Sequence, residues 1–102
     1  TEALSAGAGL ASGINIPAGL EHLLPSFMAE MVKDQQMLRA LAEGMDRVEL
    51  ADHAHAMRGK CGMFGEEVLY TLLGELESLA PNGDPGEITR LVAKVVERVG
   101  RL

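Results

Sequence analysis

Apolar residues recur along this chain in four blocks, each with helical spacing. In the first block Leu20, Leu23, Leu24, Phe27, Met28, Met31, Leu38 and Leu41 keep an approximate stripe, which predicts a helix from about Ala18 to Glu43. Pro25 lies inside it. Either the main helix begins there, with proline in its first turn, or a short lead-in helix bends at that point. Gly44 is the expected C-terminal cap. In the second block Leu50, Ala54, Met57, Cys61 and Phe64 fall at i, i+4, i+7, i+11 and i+14, one narrow apolar stripe. Its start signal is complete: Asp46 as N-cap, Glu49 as the reciprocal partner of a capping box, and Met45 and Leu50 as a hydrophobic staple. That helix is expected to run to about Met63 and to stop at Gly65.

The third block opens on Glu66 and Glu67, acids suited to a helix start. Val68, Leu69, Leu72, Leu73, Leu76 and Leu79 form its apolar face. Pro81-Asn82-Gly83 reads as a turn. The fourth helix begins with Asp84 as N-cap, Pro85 at the first position and Glu87 at the third. Ile88, Leu91, Val92, Val95, Val96 and Val99 then repeat every three or four residues. Four amphipathic helices with short connections pack most simply as an all-α, antiparallel four-helix bundle, expected over residues 18–102. Residues 1–17, mostly Ala, Gly and Ser, show no period and are expected to be a flexible N-terminal linker or tail.

Composition agrees with this class. The 102 residues suffice for one domain with a modest core. Aromatics make up only 3% and Trp is absent, which suits a helical bundle better than a sheet. The formal charge is −6, with no basic cluster beyond Arg58 and Lys60, which argues against nucleic-acid binding. The one cysteine excludes an internal disulfide and fits a reducing, cytoplasmic setting. No apolar run approaches the ~18–20 residues of a transmembrane helix, and there is no signal-peptide pattern. The start at Thr1 rather than Met leaves two expectations, a piece of a longer protein or a trimmed form of this one.

The chemistry concentrates on the second helix. Stepping about 100° per residue, His55 lies roughly 140° from the apolar stripe and is expected in solvent. Ala51, Asp52, Arg58, Gly59 and Gly62 fall near it on the wheel. Each glycine inside a helix costs roughly 0.5–1 kcal/mol relative to Ala. Beside an exposed histidine, that cost is consistent with clearance for an incoming molecule. His53, two residues from His55, falls on a different face, and no metal pair is expected from that spacing. His22 has no evident partner. Cys61 lies on the apolar stripe and reads as a small buried hydrophobe, and the six methionines read as core fillers. Glu66 and Glu67 read as helix-start charges rather than an acid/base pair. The sequence contains no Gly-rich phosphate loop and no kinase signature, so it is not expected to bind ATP or to phosphorylate itself.

The run His55-Ala56-Met57-Arg58-Gly59, with Gly65 ten residues after the histidine, resembles the signature of histidine-containing phosphotransfer (HPt) domains. That signature is His, any residue, an apolar residue, Lys and Gly, with a second Gly at the helix end. Arg58 stands where the family usually has Lys, a change that keeps the charge and alters the donor geometry. Leu24-Pro25-Ser26-Phe27-Met28 resembles the start of the family's preceding helix, and Leu76-Glu77 the close of its following one. The similarity covers roughly residues 20–102.

The resemblance implies a phosphocarrier without kinase activity in a two-component phosphorelay. His55 would accept a phosphoryl group from a receiver-domain aspartate and pass it on. Arg58 and Lys60 would stabilise the phosphate, while Ala51, Asp52, Gly59 and Gly62 would face the docking receiver. No cofactor is implied for this chain, because the receiver would bring the Mg²⁺. The Ala/Gly-rich tail favours the C-terminal end of a hybrid histidine kinase over a free-standing protein, and the domain is expected to be monomeric. Two other readings compete. A helical adaptor of the same fold would bind receivers or kinases without carrying phosphate. A small metal or cofactor binder would use His22, His53, His55 and Cys61.

Overall fold

A computed structural model describes residues 16–102. The tail expected over residues 1–17 therefore lies outside the described residues, except for its last two. Of these, Ile16 packs against the core, so at least this residue belongs with the bundle. A 3₁₀ turn, Glu21–Leu23, leads into four helices: α1 (Leu24–Glu43), α2 (Arg47–Met63), α3 (Glu67–Leu79) and α4 (Pro85–Gly100). No strand occurs among the described residues.

The helices are antiparallel to their neighbours, and side chains at their ends mark the register. Arg47, at the start of α2, donates from Nη1 to the carbonyls of Ala80 and Gly83, both at 3.0 Å, beyond the end of α3. Near the other end of the same pair, Gly62 faces the ring of Tyr70. Lys60 of α2 reaches back to Glu30 and Asp34 of α1. Glu66, just before α3, pairs with Arg98 near the end of α4. With α1 also packed on α4, the four helices close into a ring around one core.

The core follows the expected stripes. Leu50, Ala54, Met57, Cys61 and Phe64 are all buried on α2 and its end. They meet Phe27, Met31 and Leu38 of α1, Leu69, Leu73 and Leu76 of α3, and Ile88, Val92, Val95 and Val99 of α4. Phe27 and Phe64 stack with ring centroids 4.4 Å apart. Truncating a fully buried leucine such as Leu38 or Leu73 to Ala would remove about 2–5 kcal/mol. Some positions depart from the stripes. Leu23 and Val68 are exposed rather than on the apolar face, and Met37 and Met63 are exposed rather than core fillers. Met63 falls on the far side of α2 from its stripe, about 140° round the wheel, and Leu23 ends the 3₁₀ turn that precedes α1.

The helix ends also refine the expectations. Asp84 caps α4 by accepting from Glu87 N at 3.1 Å, with Pro85 behind it. Asp46 caps α2 by accepting from Glu49 N at 3.3 Å. The reciprocal half of that capping box is replaced, because Asp46 N donates to Leu41 O at 3.0 Å. That bond and Met45 N to Ala42 O at 3.1 Å close α1 as a Schellman motif. The left-handed residue in it is Met45, with φ +49°, and not Gly44, whose φ is −81°. At the end of α2, where the sequence places the stop at Gly65, that glycine is the left-handed residue, φ +70°. For α1, Pro25 occupies the first turn and the preceding 3₁₀ turn is the lead-in, so both options open at Pro25 are partly realised.

Candidate functional site

His55 stands on α2 at the seam with α3, and its side chain is 65% exposed. Its Nδ1 lies 2.9 Å from Oε2 of Glu77 on α3. A carboxylate only accepts, so this contact assigns the proton to Nδ1 and leaves the lone pair of a neutral ring on Nε2. Nε2 has no partner among the described residues and faces outward with the exposed ring. The ring is thus fixed by one nitrogen and open at the other.

Glu77 holds a second group. Its Oε1 lies 3.1 Å from Nε of Arg58, close enough for an ion pair though not aligned as a hydrogen bond. Arg58 Nη1 is 3.4 Å from the Tyr70 hydroxyl, and the guanidinium carbon sits 5.3 Å from the Tyr70 ring centroid. One carboxylate therefore joins an imidazole and a guanidinium one helical turn apart. Sequence reasoning placed Arg58 near His55 but did not assign Glu77 or Tyr70 to the site. Glu77 entered only as part of a flanking pattern.

Lys60 is a correction. Expected beside the phosphate with Arg58, its Nζ instead lies 2.7 Å from Asp34 Oδ2 and 3.0 Å from Glu30 Oε1, on the α1 side of the helix. Burial alone would lower its pKa, but the bonds to these two carboxylates outweigh that and hold it above its ordinary value. Lys60 is five residues from His55, about 140° away on the wheel, so the two face different seams. His53 shares the α1 seam with Lys60. Its Nε2 lies 3.1 Å from the Asp34 carbonyl oxygen and 3.7 Å from Oδ1.

The expected docking residues divide. Asp52 and Gly59 are exposed, and a Cβ built on Gly59 would meet nothing within 4 Å. Ala51 is half-buried. Gly62 is exposed, but a Cβ there would come within 3.1 Å of Tyr70 Cε1, so its missing side chain makes room for that ring rather than for open solvent.

Glu66 is the other acid the sequence left incomplete. It is fully buried, caps α3 by accepting from Leu69 N at 2.7 Å, and pairs with Arg98, whereas Glu67 is an exposed first-turn residue. Cys61 is buried, with Sγ 3.8 Å from Met31 Sδ. Burial, with the charges of Glu66 and Asp34 adding to it, pushes its thiol up to about 12, so it is neither a ready nucleophile nor a ready metal ligand. His22 lies in the 3₁₀ turn, His53 in the α1 seam and His55 in the α3 seam. Among the described residues no three His, Cys, Asp or Glu side chains are grouped to hold a metal ion, and no helix is long and apolar enough to cross a membrane.

A ring of four helices with an exposed, carboxylate-anchored histidine on the second defines a histidine-bearing helical bundle. The sequence model of the Hpt domain family matches residues 22–101, most of the chain, and the chain belongs to that family. The family is one of phosphocarriers in two-component signalling, acting through histidine without kinase activity of their own. Searches of curated proteins and of solved structures found no match.

Proposed function

We propose that this domain carries a phosphoryl group on His55, taking it from the aspartyl phosphate of a receiver domain and passing it to another receiver. The observation that carries the proposal is the pairing of His55 Nδ1 with Glu77, which leaves Nε2 unpartnered on an exposed ring. In the transfer, the Nε2 lone pair forms the N–P bond as the P–O bond of the acyl phosphate breaks. The electrons of that bond leave on the receiver's carboxylate. The Nδ1 proton stays in place, and Glu77 faces the positive charge that the phosphorylated ring acquires. Arg58 contributes positive charge toward the moving oxygens. The Mg²⁺ that such a transfer uses belongs to the receiver. Gly59, with open space over it, and Asp52 offer the surface over which a receiver approaches. We place the domain in the cytoplasm, where receivers work, and within or alongside a hybrid histidine kinase.

Incubation with phosphorylated receivers, scoring label on this chain, tests the proposal. Label is expected on wild type and on His53→Gln, and to be lost in His55→Gln with the helical fold retained. It should be acid-labile, as a phosphoramidate is and a Ser or Thr ester is not. Binding to receivers with no label from any of them would instead identify a helical adaptor. Label retained in His55→Gln and lost in His53→Gln would move the acceptor to the α1 seam.

A further inference from the structure

Tyr70 is the one aromatic residue on the surface among the described residues, and it lies against the residue that distinguishes this chain's motif from the usual family pattern. Its ring rests on the α2 backbone at Gly62, where a Cβ would crowd Cε1 and Cδ1 at 3.1 and 3.2 Å. It also meets Arg58: the guanidinium carbon is 5.3 Å from the ring centroid and Nη1 is 3.4 Å from the hydroxyl. Across the same seam the Arg58 stem passes beside Gly74, where a Cβ would make an ordinary contact with Cδ at 3.5 Å. Gly62 and Tyr70 thus shape a seat for one guanidinium. From this seat Arg58 Nε reaches Glu77 Oε1, while Oε2 of the same carboxylate holds His55.

Resting on His55 as the phosphate acceptor, we infer that Tyr70 is a positioning residue for the transfer: it seats Arg58 beside the imidazole. A planar, delocalised cation suits the seat. Guanidinium stacks on an aromatic face and can meet a hydroxyl and a carboxylate with different nitrogens, which a lysine ammonium on a flexible stem does less well. Nη2 has no partner among the described residues and is available to an oxygen of the incoming phosphoryl group. Without the ring, Arg58 is free to swing toward solvent, and its charge is spread over many positions instead of one.

The test is a double-mutant cycle on the full chain, read with a small donor, phosphoramidate, which needs no docking surface. Tyr70→Leu should slow labelling of His55 roughly three- to fivefold, the worth of an exposed cation–π contact. In an Arg58→Ala background the same substitution should change nothing further. Tyr70→Phe keeps the ring and should recover most of the rate. Gly62→Ala pushes the ring from behind and should slow labelling while Arg58 is present. A spectroscopic signature accompanies these rates: the Arg58 side-chain protons should carry a ring-current shift that Tyr70→Leu abolishes and Tyr70→Phe preserves. Equal slowing in both backgrounds, an unchanged rate in Tyr70→Leu, or no ring-current shift in wild type overturns the inference while leaving the phosphocarrier function standing. A wild-type chain that takes no label from phosphoramidate or from any phospho-receiver overturns both.

Discussion

His55 and Glu77 meet across the α2–α3 seam, Nδ1 to Oε2, at 2.9 Å. They are 22 residues apart in sequence, and only the antiparallel register of the two helices brings them together. The contact fixes the ring and its tautomer at once, and it leaves Nε2 without a partner among the described residues. A histidine without it could rotate about χ1 and χ2 and would present either nitrogen.

Glu77 is therefore expected to affect transfer far more than folding. Glu77 and the Arg58 it pairs with are each 30% exposed, so after truncation the guanidinium left behind is still partly solvated. Glu77→Ala should slow phosphorylation of His55 by about tenfold or more, a barrier increase of roughly 1.4 kcal/mol, while the melting temperature shifts little. Glu77→Gln keeps an acceptor for Nδ1–H but no charge opposite the phosphorylated ring, and should fall between the two. Single-turnover rates from a phospho-receiver, beside thermal melts, measure both effects. A rate unchanged in Glu77→Ala would mean that the ring needs no anchor.

Contacts within one helix turn were legible in the sequence, and contacts between helices were not. The α2 stripe from Leu50 to Phe64 and the caps Asp46 and Asp84 depend on neighbours three or four residues away, and periodicity reports them directly. Which of Glu66 and Glu67 turns inward depends on Arg98, 32 residues on. The partners of His55 and Lys60 depend on which helix lies on each side of α2. Part of the Lys60 outcome was nevertheless present in the sequence, since the wheel that separated His55 from the stripe also separates Lys60 from His55. The α1 end was legible, with Gly44 as its cap after Glu43, but the left-handed residue of the turn is the next one. Glycine is the usual left-handed residue, but the bonds of this turn place Met45 there, because Asp46 must donate back to Leu41.

The left-handed conformation at Met45 rather than at the cap residue Gly44 yields a prediction. Gly44 has an ordinary φ of −81°, and a Cβ on it would meet only Ala40 O, at 3.7 Å. Gly44→Ala should therefore stabilise the domain by about 0.4–1 kcal/mol, through the unfolded chain. Gly65 has φ +70°, so Gly65→Ala should destabilise by about 1 kcal/mol or more. Urea unfolding of the two variants separates the sites. A loss of stability in Gly44→Ala would place the left-handed residue back at Gly44.

Cys61 predicts a pH dependence on the alkaline side. In the unfolded chain its thiol ionises near the ordinary value of 9.0, while in the fold it is pushed up to about 12 by burial and by the nearby carboxylates. Between those values the folded state holds a proton that the unfolded state has lost, so stability falls as pH rises, by up to about 1.4 kcal/mol per pH unit. Below the unfolded value the group contributes no slope. Lys60, also raised, adds a slope of the same sign, beginning higher, above its ordinary 10.5. Urea unfolding at pH 8 and pH 10 should show wild type losing stability that Cys61→Ala does not lose, even though that variant starts lower from its cavity. Parallel losses in the two proteins would mean that the thiol ionises as readily in the fold as out of it.

Gly59 and Gly62 looked equivalent on the helical wheel, and the structure separates them. Nothing lies within 4 Å of a Cβ built on Gly59, so Gly59→Leu should keep or raise the melting temperature, because leucine is the better helix former by up to about 1 kcal/mol. Gly62→Leu should lower it, because the side chain collides with Tyr70, 3.1 Å from the first added carbon. Function should divide differently. The leucine at residue 59 stands one turn from His55 on the exposed side of α2, where a receiver's docking face would have to come down over the imidazole. Transfer from a phospho-receiver should fall at least about tenfold in Gly59→Leu, roughly 1.4 kcal/mol of added barrier. Labelling by phosphoramidate, a donor small enough to pass the new side chain, should fall much less. A stable Gly59→Leu variant that accepts phosphate from the receiver at the wild-type rate would show that partners approach His55 from the α3 side, over Glu77 and Gly74, and that the open space above Gly59 is not used.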